Sequence, residues 1–229
     1  MHKVDYSKEI GRGTFGTVYM CDDDTICYKH FNREPLSYTE KTIRKIKNLR
    51  IHNIYKIYDI VKIKIHNTKY LHGYFAEYCE PVGSVTIKNG IKVSDNKPLI
   101  YFPIDYVIRN YYALKDTFEI LYKNNIKVVD LHYLNMVFTE KDIMIIDVDN
   151  YMKFNPIKKL LGIEKVYDID QFFFCLLHME ITVFMNDVSV IDFVNYMRDH
   201  KDTFIEDIKA YPTLYDFLED KLGSKKLIK

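Results

Sequence analysis

Three glycines fall within the run Ile10-Gly11-Arg12-Gly13-Thr14-Phe15-Gly16-Thr17-Val18, between stretches of β-branched and aromatic residues, and this run restricts the fold more than any other part of the chain. A G-x-G-x-x-G spacing lets backbone N–H groups approach phosphate oxygens without interference from Cβ, and Val18 can cover a flat base. In dinucleotide-binding folds a helix follows the third glycine. Here Thr17-Val18-Tyr19-Met20-Cys21 continues in strand-forming residues, which disfavours that fold. Two readings remain: a phosphate-covering loop between two strands, or a plain glycine hairpin.

The surrounding pattern is strand-like in the N-terminal third and helical afterwards. Strands are expected over 8–19 and 25–31, with Asp22-Asp23-Asp24 as a solvated turn between them rather than a metal site. Ile43, Ile46 and Leu49 recur at threefold spacing among Lys and Arg, which predicts an amphipathic helix over 38–51 with a solvated basic face. Strands over 54–65 and 69–78 follow, Pro81 and Gly83 interrupt regular structure, and a further extended stretch is expected over 84–93. From Pro103 onward helical periodicity predicts helices over 106–124, 168–185, 188–200, 203–211 and 213–222. Strands first and helices afterwards give an α+β class with two lobes, 1–80 and 81–229, in a single domain.

Composition narrows the function classes. The chain of 229 residues has room for one large domain or two intimate lobes. Its 33 basic and 32 acidic residues nearly cancel, so no specific nucleic-acid partner is expected. Cys21, Cys27, Cys79 and Cys175 show no CxxC spacing, which argues against a zinc site and suits buried thiols in a reducing compartment. The first residues lack the apolar stretch of a signal peptide, and no apolar run reaches the length of about 18 that a membrane span needs. A cytoplasmic protein without a membrane span is expected.

Two further stretches carry chemistry. In Ile26-Cys27-Tyr28-Lys29 alternation puts Cys27 and Lys29 on one face, beneath the glycine run if the two strands pair. Lys29 would there supply a compact charge for phosphate oxygens; alone, it would read as an ordinary edge-strand lysine. Asp130 and Asn135 stand five positions apart after a helix, and Asp147 closes the short apolar strand Ile143-Met144-Ile145-Ile146. This pattern offers one carboxylate to orient a hydroxyl, and an amide oxygen with a second carboxylate as hard ligands for Mg²⁺.

In that order the glycine run, Lys29, Asp130, Asn135 and Asp147 resemble the protein kinase-like superfamily over roughly residues 8–185. The resemblance implies a two-lobed fold with a β-rich N-lobe and an abbreviated helical C-lobe. It implies that Gly11, Gly13 and Gly16 cover the phosphates of ATP, that Lys29 holds the α and β phosphates, and that Glu77 to Cys79 form the hinge facing adenine. Val18, Cys27, Val137 and Ile146 match the positions that sandwich the base, and Ala76 falls at the gatekeeper. Asp130 becomes the catalytic-loop aspartate, and Asn135 and Asp147 the Mg²⁺ ligands. Glu40 is the nearest candidate for the helix glutamate that pairs with Lys29, although the Ile43/Ile46/Leu49 register would place Thr42 there. Asp168 resembles the aspartate that opens the long central helix.

Departures from the pattern bear on activity. Val128 and Val129 replace the usual His-Arg, so activation by loop phosphorylation is not expected. His132 stands in place of the lysine that assists transfer in Ser/Thr kinases, and Asp130-Leu131-His132 is similar to the small-molecule phosphotransferases of the superfamily. Asp149 replaces the glycine of Asp-Phe-Gly, which implies a locked segment. The segment from Asp149 to Asp168 is short and lacks Ala-Pro-Glu. ATP-dependent transfer to a protein serine or threonine is the function expected. The alternatives are a small-molecule acceptor of the aminoglycoside or choline kinase kind, and a pseudokinase acting as a binding module.

Overall fold

The structure, a computed structural model, describes residues 2–65, 68–82 and 97–223. In chain order it contains strands β1 (Val4–Arg12), β2 (Gly16–Cys21) and β3 (Ile26–Phe31), helix α1 (Thr39–Leu49), strands β4 (Ile57–Ile65) and β5 (Thr68–Glu77), and helix α2 (Ile104–Lys123). Short strands β6 (Ile126–Lys127), β7 (Met136–Phe138), β8 (Ile143–Ile145) and β9 (Met152–Lys153) follow. Helices α3 (Pro156–Leu160), α4 (Ile169–Phe184), α5 (Val190–Asp199), α6 (Phe204–Ile208) and α7 (Leu214–Leu222) come last. The class is α+β. Gly83 and the extended stretch expected over 84–93 lie outside the described residues.

Two compact units divide the chain. One comprises Met1–Glu80, Glu119–Leu131 and Met144–Val166, the other Pro81–Phe118, His132–Ile143 and Tyr167–Lys229. The single expected cut after residue 80 leaves out two later segments of the first unit. Their attachment is made by backbone pairing too short to leave a period in the sequence: Ile126 pairs with Lys153 and Lys127 with Met152, while Ile145 bridges Ile54. Ile145 N–H donates to Asn53 O at 2.8 Å and its carbonyl accepts from Tyr55 N–H at 3.3 Å. This bridge also explains why β4 starts at Ile57 rather than at Ile54.

In the first unit a five-stranded antiparallel sheet runs in the order β1-β2-β3-β5-β4. The strand expected over 8–19 is in fact β1 and β2, separated where Gly13 N–H donates to Gly16 O at 2.8 Å and turns the chain. Register then sets two faces. Val18 lies opposite Lys29 and Lys29 opposite Tyr74, with Cys27 opposite Ala76. On the other face Cys21, Ile26, Tyr28 and Phe75 pack together with Val4, Tyr58 and Val61, and each fully buried side chain of this size contributes roughly 1.5–3 kcal/mol. At Gly73 in β5 an added Cβ would meet Lys29 O at 2.2 Å and Tyr28 Oη at 2.6 Å, so only glycine lets β3 and Tyr28 come this close. Helix α1 buries Ile43 and Ile46, as its threefold spacing predicts.

The second unit is helical. Asp168 caps α4 by accepting from the N–H groups of Asp170 and Gln171 at 3.0 and 3.1 Å, and also pairs with Lys201. Helix α6 is shorter than expected, because the chain turns at Tyr211 ahead of Pro212 and the residue before a proline disfavours helix. Asn110 on α2 accepts from Ile143 N–H at 2.7 Å and donates to Tyr106 O at 2.9 Å. No helix among the described residues is long and apolar enough to cross a membrane.

Glu180 on α4 is fully buried, and its two oxygens accept the N–H groups of Leu99 and Ile100 at 2.8 and 2.9 Å. Burial pushes it up to about 7 despite those two bonds. A folded carboxyl raised above its unfolded value binds its proton more tightly when folded, so stability falls as pH rises from the ordinary carboxylate range to about 7. Relative to wild type, Glu180→Gln is therefore expected to gain up to roughly 3 kcal/mol between pH 5 and pH 8 in urea unfolding, since one pKa unit is worth about 1.4 kcal/mol. A difference between the two proteins that does not change with pH would contradict this account of Glu180.

Candidate phosphate and metal site

The three glycines do not serve one purpose. An added Cβ at Gly16 would lie 2.6 Å from His30 O, 3.1 Å from Lys29 Cε and 3.4 Å from Lys29 Cγ, so this glycine is required by β3 and by the lysine side chain passing against it. At Gly11 an added Cβ meets nothing within 4 Å, and at Gly13 only Gly16 O at 3.9 Å; neither has a left-handed φ. The protein itself does not require glycine at those two exposed positions. Asn32, which carries no motif, holds the loop: its N–H donates to Phe15 O at 3.0 Å and its side-chain oxygen accepts from Thr17 Oγ1 at 3.0 Å. The Arg33 guanidinium lies 3.8 Å over the Phe15 ring.

Lys29 runs from this loop into a pair of carboxylates. Its Nζ donates to Asp147 Oδ1 at 2.7 Å and to Asp149 Oδ1 at 2.8 Å. The two acids differ in access: the Asp149 side chain is 2 % exposed and the Asp147 side chain 27 %. Tyr74, opposite Lys29 across the β3–β5 register, donates its hydroxyl to Asp149 Oδ1 at 3.0 Å. The Tyr55 hydroxyl lies 2.5 Å from that of Tyr74 and is left as the donor, giving a chain from Tyr55 through Tyr74 to Asp149. From α1, Thr39 Oγ1 donates to Asp149 O at 3.2 Å.

Burial opposes every charge here and the neighbours decide the outcome. For Lys29, Asp149 and Asp147 outweigh the burial that would lower it, and the ammonium is held above its ordinary value. Burial, with Asp149 alongside, pushes Asp147 up to about 7. Burial also acts to raise Asp149, yet the Lys29 ammonium and the Tyr74 hydroxyl, which both donate to it, leave it below the usual carboxylate range. The ammonium of Lys29 and the hydroxyl of Tyr74 thus favour the charged form of Asp149, whereas burial disfavours the charged form of Asp147.

The expected partnership of Glu40 with Lys29 is corrected. Glu40 Oε1 accepts from Arg44 Nε at 2.9 Å and from Lys62 Nζ at 2.7 Å, on the side of α1 that those bases flank. Thr42 is buried without taking that place, and Asp149 supplies the carboxylate. The sequence singles out Asp149 as a missing glycine; its position two residues beyond Asp147 is the available sign that both acids reach one side. Tyr74, Tyr55, Thr39 and Asn32 carry no sign beyond alternation.

The other expected site residues are distributed over both units. Asp130, in the first unit, is exposed and has φ of 61°, with Asn150 Nδ2 3.5 Å from its Oδ2. Ile146 also belongs to the first unit, whereas His132, Asn135 and Val137 belong to the second. There Asn135 N–H donates to His132 O at 2.9 Å and ends a short 3₁₀ turn with its side chain buried. At the expected hinge position Glu77 N–H donates to Lys56 O at 2.8 Å, its carboxylate accepts from Lys56 N–H at 3.1 Å, and the Cys27 thiol reaches Glu77 O at 3.7 Å. Burial pushes both Cys27 and Cys79 up to about 12, so both remain thiols at neutral pH, and Cys21 is buried; Cys175, against expectation, is exposed because it lies on the outer side of α4. Among the described residues no group of three or more His, Cys, Asp or Glu side chains is placed to hold a metal ion.

No protein-family model matches the sequence, and no curated protein matches it. The assignment of chemistry therefore stands on the residues themselves. Gly16→Ala is expected to destabilise the protein by about 1–3 kcal/mol through overpacking against β3, whereas Gly11→Ala and Gly13→Ala should stay within about 0.5 kcal/mol of wild type. Urea unfolding of the three variants measures this, and an equal loss in all three would remove the distinction between them.

Proposed function

We propose that this chain is an ATP- and Mg²⁺-dependent phosphotransferase with the two-lobed protein kinase-like fold, acting on a protein serine or threonine hydroxyl. The observation that carries the reading is the passage of the Lys29 side chain against Gly16 on its way to Asp147, which joins the glycine run, the lysine and a partly exposed carboxylate through one strand pair. The residues fit a metal-bound triphosphate. Gly11 and Gly13 leave bare backbone that the fold does not demand, and Asp147 keeps an exposed edge beside a fixed ammonium.

On this reading the glycine loop and Lys29 hold the phosphates, and Val18, Cys27, Val137 and Ile146 enclose the base next to Glu77–Cys79. Asp147 and Asn135 are the Mg²⁺ ligands; the ion, when bound, offsets phosphate charge. Asp130 orients the acceptor hydroxyl, and His132 assists. A left-handed φ at an exposed aspartate supports a positioned carboxylate, since such backbone costs of order 1–3 kcal/mol and collects at functional sites. Positioning and electrostatics suffice for this chemistry.

A protein acceptor is favoured by the segment between Asp149 and Asp168. There Ile157, Leu160, Leu161 and Ile163 are 69 %, 87 %, 67 % and 66 % exposed, an apolar surface suited to a polypeptide. The alternative, a small-molecule hydroxyl, is favoured by Asp130-Leu131-His132.

The test is transfer from radiolabelled ATP with Mg²⁺ to generic protein substrates, with an aminoglycoside and choline as competing acceptors. Asp130→Asn is expected to lower transfer by about 100-fold or more while changing ATP affinity little. Asp147→Asn is expected to weaken Mg²⁺-ATP binding itself. Full transfer by Asp130→Asn would show that residue to be misassigned, and binding without transfer by wild type would leave a pseudokinase.

A further inference from the structure

Two carboxylates meet one ammonium in the first unit, and they are not equivalent. Asp149 is closed in: Lys29, the Tyr74 hydroxyl and, through its main-chain oxygen, Thr39 of α1 all hold it, and its side chain is 2 % exposed. Asp147 keeps 27 % of its side chain exposed and has Lys29 as its fixed cation. A lysine bound only to Asp147 would compete with any cation that Asp147 must ligate. A lysine with a second, buried anchor need not, because its charge stays compensated when the first carboxylate turns away.

We propose that Asp149 is a positioning residue that anchors Lys29 permanently, so that Asp147 is free to leave the lysine for Mg²⁺. This rests on the phosphotransferase reading and adds to it a division of labour between the two acids. It also relocates a function. The carboxylate that orients the lysine lies in the segment that carries the metal ligand and not on α1, where Glu40 is engaged by Arg44 and Lys62. Helix α1 meets the device through the Thr39 hydroxyl, which donates to the Asp149 main chain. Lysine and metal ligand are thereby set by one short stretch of backbone, with no phosphorylated residue required to assemble it.

The test uses nucleotide binding measured by calorimetry over a series of Mg²⁺ concentrations, together with the ¹⁵Nζ resonance of Lys29 in nucleotide-free protein. In Asp149→Asn the Mg²⁺ concentration for half-maximal binding is expected to rise about tenfold, with affinity at saturating Mg²⁺ changed less than about threefold, because lysine and metal now compete for Asp147. The exchange-protected ammonium signal of Lys29 is expected to broaden or vanish. Tyr74→Phe keeps the ring and removes one hydrogen bond from Asp149; it serves if Asp149→Asn does not fold, with a rise of about two- to threefold. A Mg²⁺ requirement unchanged in every variant that folds, in a protein whose wild type binds Mg²⁺-ATP, overturns the role of Asp149 alone, as does an unchanged Lys29 signal in Asp149→Asn. A wild type that binds no nucleotide at any Mg²⁺ concentration overturns the phosphotransferase reading and this role with it.

Discussion

An ammonium taken out of water needs anionic partners close at hand, because the residual desolvation cost is several kcal/mol for each ion and loss of one partner from a buried pair costs about 3–5 kcal/mol. Lys29 meets that condition with Asp147 and Asp149, and much of the first unit is arranged around the result. Gly16 and Gly73 leave room for β3 and the lysine on it. Tyr74 donates to Asp149, and Tyr55 in turn donates to Tyr74. The Ile54–Ile145 bridge and the β6–β9 pair bring the chain that carries both acids into the same unit as the sheet.

The parts of this arrangement legible in the sequence are those with a period or a rare residue type. Alternation in Ile26-Cys27-Tyr28-Lys29 places Lys29 on the face of Cys27, and the register confirms that both line up with alternate residues of β5. Threefold spacing locates α1 to within two residues at each end. The glycine run marks the loop but hides its turn, since Thr14 and Phe15 between Gly13 and Gly16 continue the strand-like composition.

What the sequence conceals is partner choice across long separations. The i,i+4 spacing of Glu40 and Arg44 is visible within α1, but nothing there shows that Lys62 on β4 also takes Glu40, because a carboxylate one residue from the buried stripe can be drawn either way by a base on a neighbouring strand. Asp149 stands out as a departure and by its spacing from Asp147, but its partners Tyr74 and Lys29 are 75 and 120 residues away. The two-residue strands β6 and β9 are too short for any periodicity, yet they pair the two later segments of the first unit with each other.

The central claim is that the glycine loop, Lys29 and the Asp147–Asp149 pair form a site for a metal-bound nucleotide. Calorimetric titration of ATP into the wild-type protein, once with Mg²⁺ and once with a chelator, tests it directly. The account predicts saturable binding to one site with Mg²⁺ and affinity at least about tenfold weaker without it, since a single ammonium offsets only part of a triphosphate's charge. No binding at millimolar ATP, or binding indifferent to Mg²⁺, would contradict it.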